Sequence, residues 1–180
     1  MGMYCTLMQV AEDELEQIRS DPEALSSLLQ SEGAASAPPT SRAAPPGSSS
    51  LPTPAVRLVS LEKMWQGLHF LLTGEPFGGT PPLALAILGG HPLDEQDEGS
   101  NLVLGPPEVQ AVATALSALT HEELDRRFDP AQFAAEDIYP AVWDEDREEL
   151  LSELLEYFDQ LVAFYQDAAR CGSAVLIDIG

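Results

Sequence analysis

Apolar segments at both ends of the chain have the pattern of β-strands. Residues 3–10 (MYCTLMQV) are short, apolar and weakly alternating, and residues 174–179 (AVLIDI) are rich in β-branched side chains. Residues 101–104 (NLVL) are a third candidate strand. Because one apolar strand lies at each terminus, we expect the two to pair in one small sheet that is covered by helices.

Between the terminal strands, apolar residues recur with helical spacing. In residues 56–73 they fall at i, i+3, i+4 and i+7, which predicts one amphipathic helix that ends at Gly74. Residues 144–170 predict the longest helix, with a continuous apolar seam and an outer face of carboxylates. Capping and proline signals predict shorter helices in residues 12–20, 22–30, 80–88, 106–119, 120–128 and 130–135, and residues 91–100 predict an acidic loop. The pattern predicts a mainly helical α+β fold, a single domain over residues 1–180.

Residues 33–54 differ in composition from the rest of the chain. The segment GAASAPPTSRAAPPGSSSLPTP combines proline with Ala, Ser and Gly and contains no acidic residue. Such a segment cannot bury enough apolar surface to offset the entropy of ordering it. It therefore predicts a flexible linker inserted in the domain. Docking of its proline pairs on a proline-reading module is the less favoured alternative.

The net charge of the chain limits the kinds of molecule that it can bind. The chain carries 30 Asp and Glu residues against 8 Lys and Arg, which gives a formal net charge of −22 at pH 7. A field of this sign repels nucleic acids and anionic membranes and attracts basic proteins. No apolar run approaches the roughly 20 residues of a membrane span, and no basic segment of a secretory signal precedes Glu12. We expect a cytoplasmic protein whose partner is a basic protein, with no nucleic acid and no membrane bound.

Recognised catalytic, phosphate-binding and metal-binding motifs are missing from the sequence. Residues 74–79 (GEPFGG) lack the lysine of a phosphate-binding loop, because the only lysine, Lys63, precedes them. His91 lies in a predicted loop, and His121 lies in the first turn of a predicted helix, just after its cap. We expect both side chains to be exposed to solvent. Cys5 and Cys171 form no metal-binding pair and are expected to be reduced thiols. We therefore expect no cofactor and no metal.

One aromatic set is the best candidate for a site. Its members are Trp65, His69, Tyr139 and Trp143. The tryptophan and histidine of the first segment lie one helical turn apart and share a face. If the segment that contains Tyr139 and Trp143 packs on this face, the polar atoms of the buried rings need hydrogen-bond partners. This predicts a hydrogen-bonded aromatic core in which His69 donates one ring nitrogen to a backbone carbonyl. The open alternative is a small cleft that these rings line.

Several segments resemble a known family. They are MGMYCTLMQV, KMWQGLHFLLTG, PLALAILGG, EDIYPAVW and YQDAARCGSAVLIDI, and in this order they resemble the YfbM-like family, a bacterial domain of unknown function. The most specific parts are the W-x-x-L-H-x-L-L-T-G run that begins at Trp65 and the Ile138-Tyr139-Pro140 joint with Trp143. The resemblance implies an α+β fold with a small sheet and a cytoplasmic bacterial protein. It implies no reaction, cofactor or catalytic residue.

These observations leave two main hypotheses from different functional classes, and a structural or oligomer-forming protein built on the long helix is a third possibility. The favoured one is a non-enzymatic, acidic protein-binding module, and one concrete form is an immunity- or antitoxin-like protein that neutralises a basic effector. The alternative is a small-molecule-binding protein or enzyme with a cleft at Trp65, His69, Tyr139 and Trp143. In that case His69 would be the acid–base group, because the pKa of an unperturbed imidazole lies near neutrality.

Overall fold

Five strands form one antiparallel sheet in the computed structural model, which describes residues 2–21, 58–93 and 101–180. The strands are β1 Cys5–Val10, β2 Leu58–Glu62, β3 His91–Pro92, β4 Asn101–Leu104 and β5 Ala174–Ile179. Their order across the sheet is β2-β1-β5-β4-β3. The first and last strands lie side by side, with Cys5 opposite Ile179 and Val10 opposite Ala174. The predicted pairing of the terminal strands is confirmed.

Seven described helices accompany the sheet. They are α1 Glu12–Ser20, α2 Trp65–Thr73, α3 Leu85–Leu88, α4 Pro106–Ser117, α5 His121–Arg127, α6 Pro130–Ala135 and α7 Arg147–Cys171. The side chains of Thr120 and Asp129 accept hydrogen bonds from the first turns of α5 and α6, as the sequence predicts. Gly74 and Gly172 end α2 and α7 with φ of 78° and 66°, a left-handed conformation that favours glycine. The predicted α+β fold is confirmed.

The two faces of the sheet bury different elements. Cys5 and Leu7 of β1, with Val175 and Ile177 of β5, belong to the main core that contains α2, α4 and α7. On the opposite face, a smaller cluster joins sheet residues to Ile18 of α1. All residues of α2 from 65 to 72 are buried, so this helix lies inside the fold rather than on its surface.

The predicted helix over residues 56–73 is wrong in its first part. Residues 58–62 form β2, in which Val59 and Leu61 are buried and alternate with less buried neighbours. Leu7 of β1 lies opposite Val59 across the antiparallel ladder. A short apolar run fits a period of two as well as a helical period, and here pairing with β1 decides between them. The helix begins only at Trp65, after Glu62 has taken a left-handed φ of 47°.

Two further predictions need correction. The predicted acidic loop begins with a short strand, because His91 and Pro92 pair with Val103 and Leu102 of β4. The helix predicted from residue 80 begins only at Leu85, since residues 81–84 form a turn before it. The predicted helix over residues 22–30, the predicted linker over 33–54 and residues 94–100 of the predicted loop lie outside the described residues.

Candidate functional site

His69 is fully buried in α2, with 0% of its surface exposed. Its Nε2 lies 2.8 Å from the carbonyl oxygen of Gly78, so a neutral ring donates this hydrogen bond and leaves Nδ1 as an acceptor. Among the described residues, Nδ1 has no hydrogen-bond partner. Burial lowers the pKa of His69, and the bond to Gly78 opposes this effect in part. His69 thus has the position and the neutral charge of a core histidine.

Polar side chains of α2 hold the glycine-rich loop of residues 74–79. Gln66 Nε2 donates to the carbonyl of Pro76 at 3.3 Å, and Thr73 Oγ1 accepts from the backbone N–H of Glu75 at 3.1 Å. With the bond from His69, these contacts hold the backbone of residues 75, 76 and 78, before and after the exposed Phe77. Gln66, His69 and Thr73 therefore hold the loop of residues 74–79 against α2.

Trp143 packs with other aromatic rings in the main core. Its Nε1 donates to the carbonyl of Ile138, and its ring lies 4.6 Å from that of Phe133, centroid to centroid. Its Cη2 packs so closely on α2 that a Cβ at position 67 would lie 2.5 Å from it. Gly67 is therefore the residue that lets the indole approach the helix backbone.

Trp65 and Tyr139 lie together on another side of α2. Their ring centroids are 6.3 Å apart. Trp65 Nε1 donates to the carbonyl of Met3 at 3.3 Å, and the N–H of Met3 donates to the Tyr139 hydroxyl at 3.2 Å. The structure brings these two of the four predicted residues together at the amino-terminal segment. It turns the other two, His69 and Trp143, toward different neighbours.

An open cleft of about 690 Å³ lies next to Tyr139, between the amino-terminal segment, the end of β2 and the first half of α7. Three tyrosines line it, Tyr4, Tyr139 and Tyr157. Three glutamates also line it, Glu62, Glu145 and Glu153, together with Lys63. Of the four residues predicted from the sequence, Tyr139 is the one that lines this cleft. We call this cleft the tyrosine cleft.

The tyrosine cleft has a negative electrostatic environment. The pKa of Tyr157 is raised by burial and by the nearby carboxylates of Glu153, Glu62 and Glu156. Burial is the largest cause of this shift, and the three carboxylates add to it because they disfavour a second negative charge beside them. The ammonium group of Lys63 lies 5.7 Å from the centroid of the Tyr4 ring, within the range of a cation–π contact.

Exposed carboxylates continue from the cleft along α7. Glu153 lines both the tyrosine cleft and a second, shallower depression whose other residues are Asp146, Glu148, Glu149, Ser152 and Glu156. We call the carboxylates of this depression the acidic face. Arg147, the cation within this stretch, is paired with Asp125 at 2.7 Å. The sequence predicted the carboxylates of this helix but missed the cleft, because Tyr4 and Tyr157 show no shared pattern and meet only in the fold.

Two other features are absent from the described part of the chain. No group of three or more His, Cys, Asp and Glu residues there is arranged to hold a metal ion. Among helices in residues 2–21, 58–93 and 101–180, none combines the length and apolar character needed to cross a membrane.

Comparison with known proteins gives consistent matches. The family described as "Domain of unknown function (DUF1877)" matches residues 1–177. Protein YfbM of Escherichia coli (strain K12) is 29% identical over an alignment of 127 residues, and the alignment covers 67% of this chain and 75% of that protein. The crystal structure of YfbM from Escherichia coli, a protein of unknown function, matches with a TM-score of 0.70. That match has 21% identity and covers 98% of this chain and 99% of the other, and it shows a shared fold.

Proposed function

The chain belongs to the DUF1877 family, a domain of unknown function, and we propose that it binds a basic protein partner and catalyses no reaction. The proposal is based on the surface of this chain. The family predicted from the Trp65 and Tyr139 segments is confirmed by this membership. Family membership supplies no activity, so the proposal rests on surface charge and burial. The proposal includes a cytoplasmic location for this protein and its partner. The free thiols of Cys5 and Cys171 support this location, because the cytoplasm keeps thiols reduced.

The acidic face beside the tyrosine cleft is the observation that carries the proposal. Its carboxylates are exposed, and they lie on α7 or, for Asp146, at its N-cap; the opposite side of this helix is buried in the core through Leu150, Leu154 and Phe158. A rigid surface of one charge sign speeds association with a partner of opposite sign and rejects partners of the same sign. An immunity- or antitoxin-like protein that neutralises a basic effector would use such a surface.

Burial argues against the enzyme alternative centred on His69. An acid–base catalyst must come within hydrogen-bond distance of its substrate. The His69 ring has no exposed surface, and its Nε2 already donates to Gly78. Trp65 and Trp143 are 2% and 5% exposed, so they offer little surface to a ligand. The arrangement supports a structural role for these three residues.

A salt-dependent pulldown tests the proposal. We expect the tagged chain to enrich a basic protein from native lysate at about 50 mM salt and to lose it at about 500 mM, because salt screens exposed charges. The variant Glu148→Gln, Glu149→Gln, Glu156→Gln should retain at most about a tenth of the captured partner, which corresponds to about 1.4 kcal/mol. The matched control Asp13→Asn, Glu16→Gln, Glu136→Gln removes the same charge from exposed positions elsewhere and should retain most of the partner.

Two results would contradict the proposal. One is a wild-type chain that enriches no basic protein at low salt. The other is a control variant that loses the partner as completely as the acidic-face variant, since net charge alone would then explain capture. Circular dichroism of each variant establishes that it is folded.

A further inference from the structure

The tyrosine cleft already accommodates a cation of the chain itself. Lys63 is the only lysine in the sequence, and its ammonium group lies over the Tyr4 ring at 5.7 Å from the centroid. Its stem passes so close to Gly2 that a Cβ there would lie 2.5 Å from Lys63 Cε. The cleft thus offers both an aromatic face for a charged group and room for the aliphatic chain that carries it.

The lining of the cleft suits a further positive charge. Glu62, Glu145 and Glu153 outnumber the single Lys63, so the cleft keeps a surplus of negative charge with the lysine in place. The side chains of Tyr4, Tyr139 and Tyr157 line the same space. Aromatic rings with nearby carboxylates form the environment that binds ammonium and guanidinium groups in proteins.

We propose that the tyrosine cleft binds a lysine or arginine side chain of the basic partner, which replaces Lys63 over the Tyr4 ring. This inference rests on the proposed function and names the position at which the partner is held. The acidic face supplies attraction at longer range, whereas the cleft supplies a defined contact.

Shape and position favour a side chain of a peptide segment over a small free cation. The cleft volume of about 690 Å³ is much larger than one ammonium or guanidinium group. Glu153 lines both the cleft and the acidic face, so a segment with one residue in the cleft places its neighbours along α7. A basic peptide therefore gains contacts that a free cation of equal charge does not.

Tetra-arginine with blocked ends is the probe for this inference, and spermine, which also carries four positive charges, is the free-cation comparison. We expect Glu62→Gln with Glu153→Gln to weaken tetra-arginine binding about fivefold to tenfold, and the control pair Asp13→Asn with Glu16→Gln to weaken it less than twofold. Tyr4→Leu changes no charge and should weaken binding about threefold, through loss of the cation–π contact. Lys63→Met should strengthen binding about threefold, because it removes the competing cation.

Selective ¹³C labelling of lysine gives a single Cε resonance, from Lys63, which reports on the cleft directly. We expect tetra-arginine to shift this resonance in the wild type and to shift it much less in Tyr4→Leu. The inference is overturned if the cleft pair and the control pair weaken binding equally, or if Lys63→Met weakens binding. It is also overturned if spermine binds as tightly as tetra-arginine. In each of these cases the salt-dependent pulldown can still succeed, so failure of the cleft is distinguishable from failure of the proposed function.

Discussion

Replacing Trp143 by alanine is expected to lower the free energy of unfolding by about 3–5 kcal/mol, the range for removal of a large aromatic side chain from a packed core. The indole packs against Phe128 and Phe133 and covers the backbone of α2 at Gly67. Its removal leaves a cavity among these rings and takes the donor from the carbonyl of Ile138. Chemical denaturation of the wild type and the variant measures the loss.

Gly67 provides an internal control for this prediction. In the wild type, Gly67→Ala should destabilise the protein, because the new Cβ would lie 2.5 Å from Trp143 Cη2. In the Trp143→Ala background the same change should be neutral or stabilising by about 1 kcal/mol, since alanine favours helix over glycine. The sum of the two single losses should therefore exceed the loss in the double variant. Additive losses would show that Trp143 does not pack on this helix position.

Acidification is expected to destabilise the wild type through His69, by up to about 1.4 kcal/mol per pH unit. The native state holds the pKa of this imidazole below its usual value near 6.5, chiefly through burial. Below pH 6.5 the unfolded chain therefore binds a proton at His69 while the native state remains neutral. The stability associated with the neutral His69 is therefore fully present above about pH 6.5. It decreases as the pH falls from 6.5 toward the pKa of His69 in the native state.

The difference between two variants isolates this effect from the titration of the many carboxylates. His69→Gln retains an N–H donor for the carbonyl of Gly78 but does not titrate, so its unfolding free energy should lack the His69 component below pH 6.5. His91→Gln makes the same change at an exposed position and should retain that component. Equal pH profiles for the wild type and His69→Gln, measured by urea unfolding from pH 7.5 to 5, would contradict a buried neutral imidazole.

Elements with strong local signals were predictable from the sequence. Thr120 and Asp129 start α5 and α6 because their side-chain oxygens accept hydrogen bonds from the first helical turn, a contact within a few residues. The strand at 174–179 was predictable from its β-branched residues. The β2 strand was not, because Val59 and Leu61 fit both periods and only pairing with the distant β1 selects the extended form.

The candidate site was less predictable than the fold, for the same physical reason. The segments of Trp65 and Tyr139 were expected to pack together because buried aromatic rings with polar atoms need partners, and these two rings do lie together. The tyrosine cleft joins Tyr4, Lys63 and Tyr157, which are distant in sequence and belong to no shared motif. Such a site exists only once the tertiary fold has brought its parts together.

An amide chemical-shift map of the ¹⁵N-labelled protein, titrated with blocked tetra-arginine at low salt, identifies the residues that contact the peptide. In the proposed function these residues belong to the acidic face and the adjoining tyrosine cleft, whereas His69 belongs to the core. We predict the largest shifts at Tyr4, at residues 62–63 and at residues 145–157, and their disappearance at about 500 mM salt. If the largest shifts occur at His69 and the loop of residues 74–79, or if the shifts persist at high salt, the proposed binding surface is contradicted.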